Sequence, residues 1–260
     1  SGRVQFRDWL AVSFLMSDYE RPYAMSTPEK DLTWRESRSA PFGFLKVEAK
    51  KELSHDSSLR FEGFFSVIRP EYEIIDETLD QKEKVTYGEI VYDRSFFSGK
   101  GLFTGGVSYR EKSVRDAPIW DSYFPDYLDP ANLFFLPRVT EEDYRTRLRS
   151  LFSQYTHKVG NFDFLVGVRG DEHDEYADHV SFNTGVVWSV SSQWAWKLLY
   201  GTAYRTPYAR QLLDGEEPDL EKIETVSTQV SWKPSKKAAL SACGFYSRID
   251  NHLMEDPYAG

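Results

Sequence analysis

The sequence predicts an all-β chain folded as an antiparallel up-and-down β-barrel that crosses a membrane. Three features predict it: apolar-alternating segments mostly close to ten residues long, two unlike faces on each segment, and connections that alternate between tight turns and long loops. A tilted strand needs roughly nine to eleven residues to cross a bilayer, whereas strands of soluble proteins average about five or six. Short turns on one rim and longer loops on the other are typical of such barrels.

Period-two alternation, or enrichment in β-branched and aromatic residues between turn residues, identifies about eleven strands. In chain order they are Arg3 to Met16, Phe42 to Glu52, Ser58 to Ile68, Lys84 to Ser98, Gly101 to Arg110, Tyr144 to Val159, Phe162 to Arg169, Val180 to Val190, Trp194 to Arg205, Ile223 to Trp232, and Lys237 to Ile249. An odd strand count is unusual for a bacterial single-chain barrel, so we expect part of a larger one.

The connections fall into two classes. The tight ones are rich in residues that turn a chain easily: Leu53 to Ser57, Gly99-Lys100, Gly160-Asn161, Ser191 to Gln193, and Lys233 to Lys236. The long ones are rich in charge, proline and tyrosine: Ser17 to Pro41, Arg69 to Glu83, Glu111 to Asp143, Gly170 to His179, and Thr206 to Lys222. We expect the tight turns to be periplasmic and the long loops to be extracellular.

The strands present two unlike faces. In Trp194 to Arg205 one face is mainly aromatic and apolar, namely Trp194, Trp196, Leu198, Tyr200, Thr202 and Tyr204, and the other is mixed with Lys197, Gly201 and Arg205. Two other rows show the same contrast: Phe162, Phe164, Val166 and Val168, and Val180, Phe182, Thr184, Val186 and Trp188. Aromatic residues at strand ends predict interfacial girdles around an apolar band.

A soluble β-sandwich or a lipocalin-like barrel is the alternative, because its strands also alternate. The strand lengths argue against it. A sandwich with crossing connections also has no reason to keep every long loop on one rim.

The composition sets further bounds. The 260 residues suffice for one domain, and a net charge of −9 argues against nucleic acid as a partner. The sequence contains no run of about eighteen apolar residues, so it predicts no membrane-spanning helix. Cys243 is the only cysteine, which excludes an internal disulfide, and we expect a small packed side chain there. No signal peptide precedes Arg3, so we expect a mature or trimmed product.

The second half carries a series of ordered motifs. The strongest, Leu199 to Pro207, resembles the Y-G-x-a-F-R-a-P in the barrel of TonB-dependent outer-membrane receptors, with Tyr204 in place of the usual Phe. Pro218 to Leu220 and then Lys222 to Thr225 resemble the n-P-x-L and K-P-E-T that follow, with Ile223 in place of Pro. Weaker matches are Val166 to Asp174, Ser181 to Trp188, and Gly244 to Asn251.

The resemblance implies a role. Such receptors import a scarce ligand, such as a ferric siderophore, cobalamin or a glycan, across the outer membrane of Gram-negative bacteria. An inner-membrane TonB energy-coupling complex pulls on a plug domain, and the full barrel has about 22 strands. Residues 1–260 would supply barrel wall and loops only, in contact with outer-membrane lipid. Since no plug segment precedes Arg3, we expect an internal piece of a longer receptor.

Barrel architecture also accounts for the central motif. Tyr200 and Tyr204 share one face near the outer rim, Gly201 removes a side chain where the wall packs closely, and Pro207 ends the strand. We interpret these residues as architectural rather than ligand-contacting.

Candidate chemistry is sparse. Asp171 to Glu175 with His179 is the only local cluster of potential metal ligands, but its spacing matches no zinc or calcium motif, and a solvated loop is favoured. His157 with Ser153, or Asp171 with His173, would be the pairs for a hydrolase. We assign no catalytic, metal-ligating or cofactor-binding residue, no enzymatic activity and no cofactor, and the sequence does not identify the ligand-binding residues.

Three functional alternatives remain open beside the importer. They are a plugless porin or channel, a soluble β-barrel binding module, and an outer-membrane hydrolase. A haem receptor of the family typically carries a histidine between the R-a-P and n-P-x-L motifs, and Pro207 to Pro218 contains none. Side chains of that loop that could contact a substrate are Tyr208, Arg210, Asp214, Glu216 and Glu217.

Overall fold

The computed structural model describes residues 1–18, 20–26, 33–39, 41–69, 71–74, 77–120, 139–206, 219–235 and 237–251. Its strands are β1 Gly2–Phe6, β2 Leu10–Ser17, β3 Glu20–Ser26, β4 Thr33–Ser39, β5 Phe42–Ser54, β6 Ser57–Ile68, β7 Glu71–Ile74, β8 Glu77–Asp80, β9 Lys82–Phe96, β10 Gly101–Trp120, β11 Val139–Val159, β12 Phe162–His173, β13 His179–Ser189, β14 Trp194–Arg205, β15 Glu221–Ser235 and β16 Ala238–Asp250. Within these residues, no helix is long and apolar enough to cross a membrane.

Twelve strands form one sheet in the order β1-β2-β5-β6-β9-β10-β11-β12-β13-β14-β15-β16. Every neighbouring pair in it is antiparallel. Each strand therefore pairs with the strands before and after it in the main sheet, as in an up-and-down barrel, and β1 and β16 form the sheet's two edges. The predicted all-β fold class is confirmed, as an open part of a barrel wall.

The tight turns occupy one rim of this sheet, as predicted. They connect β5 to β6, β9 to β10, β11 to β12, β13 to β14 and β15 to β16. The backbone at Gly99 and Gly160 has φ of +86° and +59°, a conformation that glycine adopts without steric cost. In the β13–β14 turn the Ser191 hydroxyl accepts hydrogen bonds from the amides of Gln193 and Trp194, each 3.2 Å long.

The predicted first strand is wrong. The segment from Arg3 to Met16 is a hairpin in which β1 pairs with β2 from Gly2↔Phe14 to Phe6↔Leu10. Its turn, 7–9, includes Arg7 at φ +53°. The extra strand raises the count in the main sheet from about eleven to twelve.

The predicted long loops contain more strand than expected. The β2–β5 connection contains β3 and β4, and the β6–β9 connection contains β7 and β8. These four strands form a second antiparallel sheet. β10 and β11 extend beyond their predicted ends and stay paired to Trp120↔Val139, past an irregularity at Val114/Ala117. Likewise, β12 runs to His173, which leaves only 174–178 as a connection to β13.

One face of the main sheet is apolar. Register places Phe61, Ile90, Val107 and Leu151 side by side across four strands, with Leu151 68% exposed. The same face carries further exposed apolar residues: Phe14, Leu45, Phe65, Phe164, Val166, Val168, Val180, Phe182, Tyr200, Val226 and Val230. We call this the apolar face.

Aromatic rings mark the tight-turn end of the apolar face. Phe162 stacks on Trp188 at 5.7 Å between ring centroids, and Trp194 stacks on Trp232 at 5.3 Å. The first charged residue on the apolar face of β12 is Glu172, ten residues beyond Phe162. Ten residues span about 34 Å along the strand and about 26 Å at a tilt near 40°, the height of a membrane barrel's apolar band.

The opposite face, which we call the polar face, is rich in ion pairs. Lys46 Nζ lies 2.9 Å from Glu62 Oε2, and Arg60 Nε lies 2.9 Å from Asp93 Oδ2. Among the described residues only Ala11, Val91, Val114 and Leu220 are buried hydrophobics. Trp188, Trp194 and Trp196 are 37–43% exposed, so no dry core between two sheets encloses them, as a sandwich would require.

We predict that Val166→Arg destabilises the folded protein by about 2–4 kcal/mol, the usual cost of an arginine near the middle of the lipid-facing surface. Val166 is 57% exposed in the middle of the apolar band. Urea titration of the protein in lipid vesicles, followed by tryptophan fluorescence, measures the change. Thr156→Arg is the matched control, because Thr156 lies on the polar face opposite Leu165. Equal losses in both variants would contradict the assignment of the two faces.

Candidate functional site

Side chains of β11 to β14 and of the β12–β13 connection gather near the rim that carries the long connections. We define the rim cluster by the following side chains: Ser150, Arg169, Asp171, His173, Tyr176, His179 and Tyr204. Alternation along β12 puts Arg169, Asp171 and His173 on one face, and register puts Ser150 and His179 beside Asp171. The cluster thus combines residues that are distant in sequence.

Arg169 and Asp171 form the charged part of the rim cluster. Arg169 Nε donates to both carboxylate oxygens of Asp171, at 2.9 and 3.1 Å. Arg169 Nη2 also donates to Ser150 Oγ at 2.7 Å. Asp171 is 5% exposed, and a buried carboxylate requires such a partner. This pair therefore fixes the local geometry and leaves no free charge for a ligand.

Two histidines and two tyrosines form the neutral part. The Tyr204 hydroxyl lies 2.8 Å from His173 Nε2, and the Tyr176 ring stands edge-on to His173 at 5.4 Å. The His179 ring lies 4.6 Å from that of Tyr204, and its buried Nε2 has no hydrogen-bond partner within the described part of the chain. Burial lowers the pKa of His173, which lies beyond the apolar band, so this imidazole is neutral near pH 7.

An aromatic row continues the site toward β5. Phe44, Phe64 and Tyr87 follow one another with centroid separations of 5.9 and 5.1 Å. The Tyr87 hydroxyl donates to Glu89 Oε2 at 2.8 Å. Rings with one edge open to solvent offer flat apolar surface to a planar ligand.

Arg110 connects the aromatic row to the rim cluster. Register pairs Arg110 with Tyr87 on one side and with Leu148 on the other, and Leu148 pairs with His173. Arg110 is exposed, and no carboxylate of the described residues forms an ion pair with it. It is therefore a cation available to an anionic ligand on this face.

Three glutamates lie next to the aromatic row, on the side toward the tight-turn rim. Glu48 pairs in register with Glu62, and Glu62 with Glu89. Directly opposed like charges repel. Lys46 Nζ bridges Glu48 at 3.1 Å and Glu62 at 2.9 Å, which offsets part of that repulsion.

The structure separates the candidate metal ligands. Asp171 and His173 belong to the polar face, whereas Glu172 and Asp174 point the other way, to Arg149 at 3.1 Å and Arg147 at 3.8 Å. Among the described residues no group of three or more potential ligands could hold a metal ion. The expected solvated loop is wrong at its start, because residues 170–173 are part of β12.

The hydrolase pairs are not assembled. Ser153 and His157 lie four positions apart on β11, about 13 Å along an extended strand. The His157 Nδ1 atom contacts the Tyr155 hydroxyl at 3.1 Å instead. Asp171 binds Arg169 and His173 contacts Tyr204, so neither pair orients a nucleophile.

Two details of the central motif can be compared with the structure. The unbroken register of β14 with β15 keeps Tyr200 and Tyr204 on one face, as predicted, while the Tyr204 side chain reaches His173 and His179. A Cβ at Gly201 would meet only the Phe182 carbonyl, at 3.8 Å, while one at Gly106 would lie 2.6 Å from the Ile90 carbonyl. The wall therefore packs closely at Gly106 and not at Gly201.

The remaining predicted residues are Cys243, which the structure describes, and a group that it does not describe. Cys243 is exposed rather than packed. The proposed loop contacts lie outside the described residues, as does the strand-ending proline: Pro207, Tyr208, Arg210, Asp214, Glu216 and Glu217.

Sequence reasoning missed Arg110 and the His173–Tyr204 contact. Arg110 is the last residue of a predicted strand, and its alternation with Ser108 was a usable signal for its face. The contact between His173 and Tyr204 joins residues that are 31 positions apart, and no local pattern indicates it.

A family model and several solved structures match this chain. The model of the TonB dependent receptor-like β-barrel matches residues 26–260. The ferric-catecholate import receptor Fiu from E. coli K12, in its closed form, superposes with a TM-score of 0.70 at 10% identity, over 96% of this chain and 50% of that chain. The FrpB iron transporter from Neisseria meningitidis, F3-3 variant, gives 0.71 at 12% identity, over 92% and 42%.

The siderophore receptor PirA from Acinetobacter baumannii gives a TM-score of 0.70 at 10% identity, over 95% of this chain and 42% of that chain. Identities this low show a shared fold. The chain spans half or less of the length of each of these three proteins.

We predict that Tyr204→Phe lowers the free energy of unfolding by about 1 kcal/mol, because it leaves His173 Nε2 without its hydrogen-bond partner. Tyr200→Phe is the matched control on the same strand, with its ring exposed on the apolar face. Urea unfolding in vesicles measures both. Indistinguishable stabilities of the two variants would show that the contact contributes nothing.

Proposed function

We propose that this chain forms part of the wall of an importer of ferric siderophores, because it belongs to the TonB dependent receptor-like β-barrel family. The family consists of Gram-negative outer-membrane receptors and transporters rather than enzymes. The similar structures include a ferric-catecholate import receptor, an iron transporter and a siderophore receptor. Their names support iron uptake as the role of the whole protein.

We further propose that residues 1–260 are barrel portion only. Twelve main-sheet strands and about half the length of the similar proteins fit part of a barrel of about 22 strands. In this proposal the polar face encloses a plug supplied by another segment, and the TonB complex acts on that plug. A wall without its plug gives no energy coupling, so the transport step belongs to the whole protein.

The observation that carries ligand binding is the exposed Arg110 between the aromatic row and the rim cluster. Ferric catecholates combine flat aromatic rings with negative charge. Tyr87, His173 and Tyr204 offer rings and hydroxyl groups, and Arg110 offers a cation without a carboxylate partner among the described residues. This arrangement favours an anionic, aromatic ligand over a cationic one, despite the net charge of −9.

Two alternatives make different predictions. A soluble binding module would hide its large apolar side chains, whereas Leu151, Val166 and Phe182 are 53–68% exposed on one face. A plugless porin would show steady ion conductance in planar bilayers when the whole protein is reconstituted. A plugged importer would show little, and this measurement distinguishes the two classes.

We predict that Arg110→Gln weakens binding of a ferric catecholate complex about tenfold, which corresponds to the loss of one charge-assisted contact. Quenching of tryptophan fluorescence in detergent measures the affinity of the whole protein.

The matched control is Lys112→Gln. Lys112 lies two residues along the same face and is already paired with Glu83 at 3.2 Å, so its removal should change the affinity by less than about twofold. Equal effects of the two substitutions would exclude Arg110 from the site. Absence of binding by the unmodified protein would contradict the catecholate assignment.

A further inference from the structure

Four cations lie on the apolar-face side of the sheet, beyond its apolar band. We define the cationic patch as Arg69, Lys82, Lys84 and Arg115. Register pairs Lys82 with Arg115, and Lys84 with Val67 and Ser113. Lys84 and Lys82 follow Ile90, Gly88 and Thr86 in the same period-two row of β9, so they lie on the surface that carries the apolar band.

No described carboxylate neutralises the cationic patch. Within the described part of the chain no carboxylate forms an ion pair with any of its four members. The positive charge of Arg69, with that of Lys84 and Arg115, lowers the pKa of Lys82. Opposed like charges destabilise a strand pair, so this arrangement costs stability in the absence of an anion.

Neighbouring charges on the same surface are balanced instead. Arg145 Nη2 lies 2.6 Å from Glu111 Oε2, and Arg149 Nη1 lies 3.1 Å from Glu172 Oε1. The hydrogen bond from Arg145 lowers the pKa of Glu111 to about 2, so the carboxylate stays ionised at neutral pH. The patch on β9, on β10 and just after β6 therefore differs from the paired charges of β10, β11 and β12 beside it.

A groove opens in the apolar face just below the patch. It has a volume of 770 Å³, and its walls include Phe61, Ile90, Val107 and Leu151. Gly88 and Gly170 leave it open, since a Cβ at either position would meet nothing within 4 Å. Gly88 lies four residues from Lys84, about 13 Å along the strand.

We propose that the groove and the cationic patch together bind one phosphorylated, multiply acylated glycolipid of the outer leaflet. This inference rests on the membrane placement in the proposed function, with the long connections outward. An acyl chain fills the groove beside Gly88, and the phosphates lie against Lys82, Lys84 and their neighbours. A zwitterionic phospholipid carries its own ammonium group and would leave the patch uncompensated, so charge complementarity favours a lipid with several phosphates.

The test uses the whole protein, stripped of lipid in a nonionic detergent and titrated with bisphosphorylated lipid A. Native mass spectrometry counts the bound lipid. We expect one tightly bound molecule, and about 30-fold weaker binding for Lys82→Gln/Lys84→Gln, from roughly 1 kcal/mol per cation. Lys100→Gln/Lys158→Gln is the matched control at the tight-turn rim and should leave binding unchanged.

A second variant tests the groove without changing charge. Gly88→Leu places its side chain in open space, so we expect a folded protein, checked by heat-modifiable gel mobility, that binds lipid A at least about tenfold more weakly. Equal loss in the control pair, or equally tight binding of phosphatidylcholine by the unmodified protein, would overturn the inference. Ferric catecholate binding is measured in parallel. If it persists while lipid A binding fails, only the lipid site is refuted.

Discussion

Pairing of every strand with its neighbours is the constraint on which the rest of the structure depends. Backbone amides and carbonyls that face lipid have no water to bond, so each ladder must be complete from turn to rim. A complete ladder fixes the register, and a period of two then assigns each side chain to one face. The continuous register of β9 with β10, from Arg115↔Lys82 to Gly101↔Phe96, shows such a ladder.

The same constraint brings together the residues of the candidate site, which no local sequence pattern would group. Phe64, Tyr87, Arg110 and His173 come from four strands and form one lateral row, because register aligns them. No loop has to fold around a ligand to bring them together. The wall itself therefore supplies flat rings and Arg110, a cation without a carboxylate partner among the described residues.

Much of the fold could be predicted because alternation is a local property. The tight turns, the aromatic girdle and the apolar row from Phe162 to Val168 all follow from patterns within one or two strands. The hairpin inside Arg3 to Met16 was missed because its turn contains no glycine, proline or asparagine. The His173–Tyr204 contact could not be predicted, because it depends on how β12 to β14 are arranged in space.

Cations of the sheet are paired with carboxylates at some positions and not at others, and the difference carries functional information. On the polar face Lys112 is paired with Glu83, and Lys46 bridges two glutamates. On the apolar-face side Lys82 and Lys84 have none among the described residues. Selection for folding alone would neutralise or remove opposed cations. Their position directly above an apolar groove is therefore better explained by an anionic lipid that completes the surface than by the stability of the sheet itself.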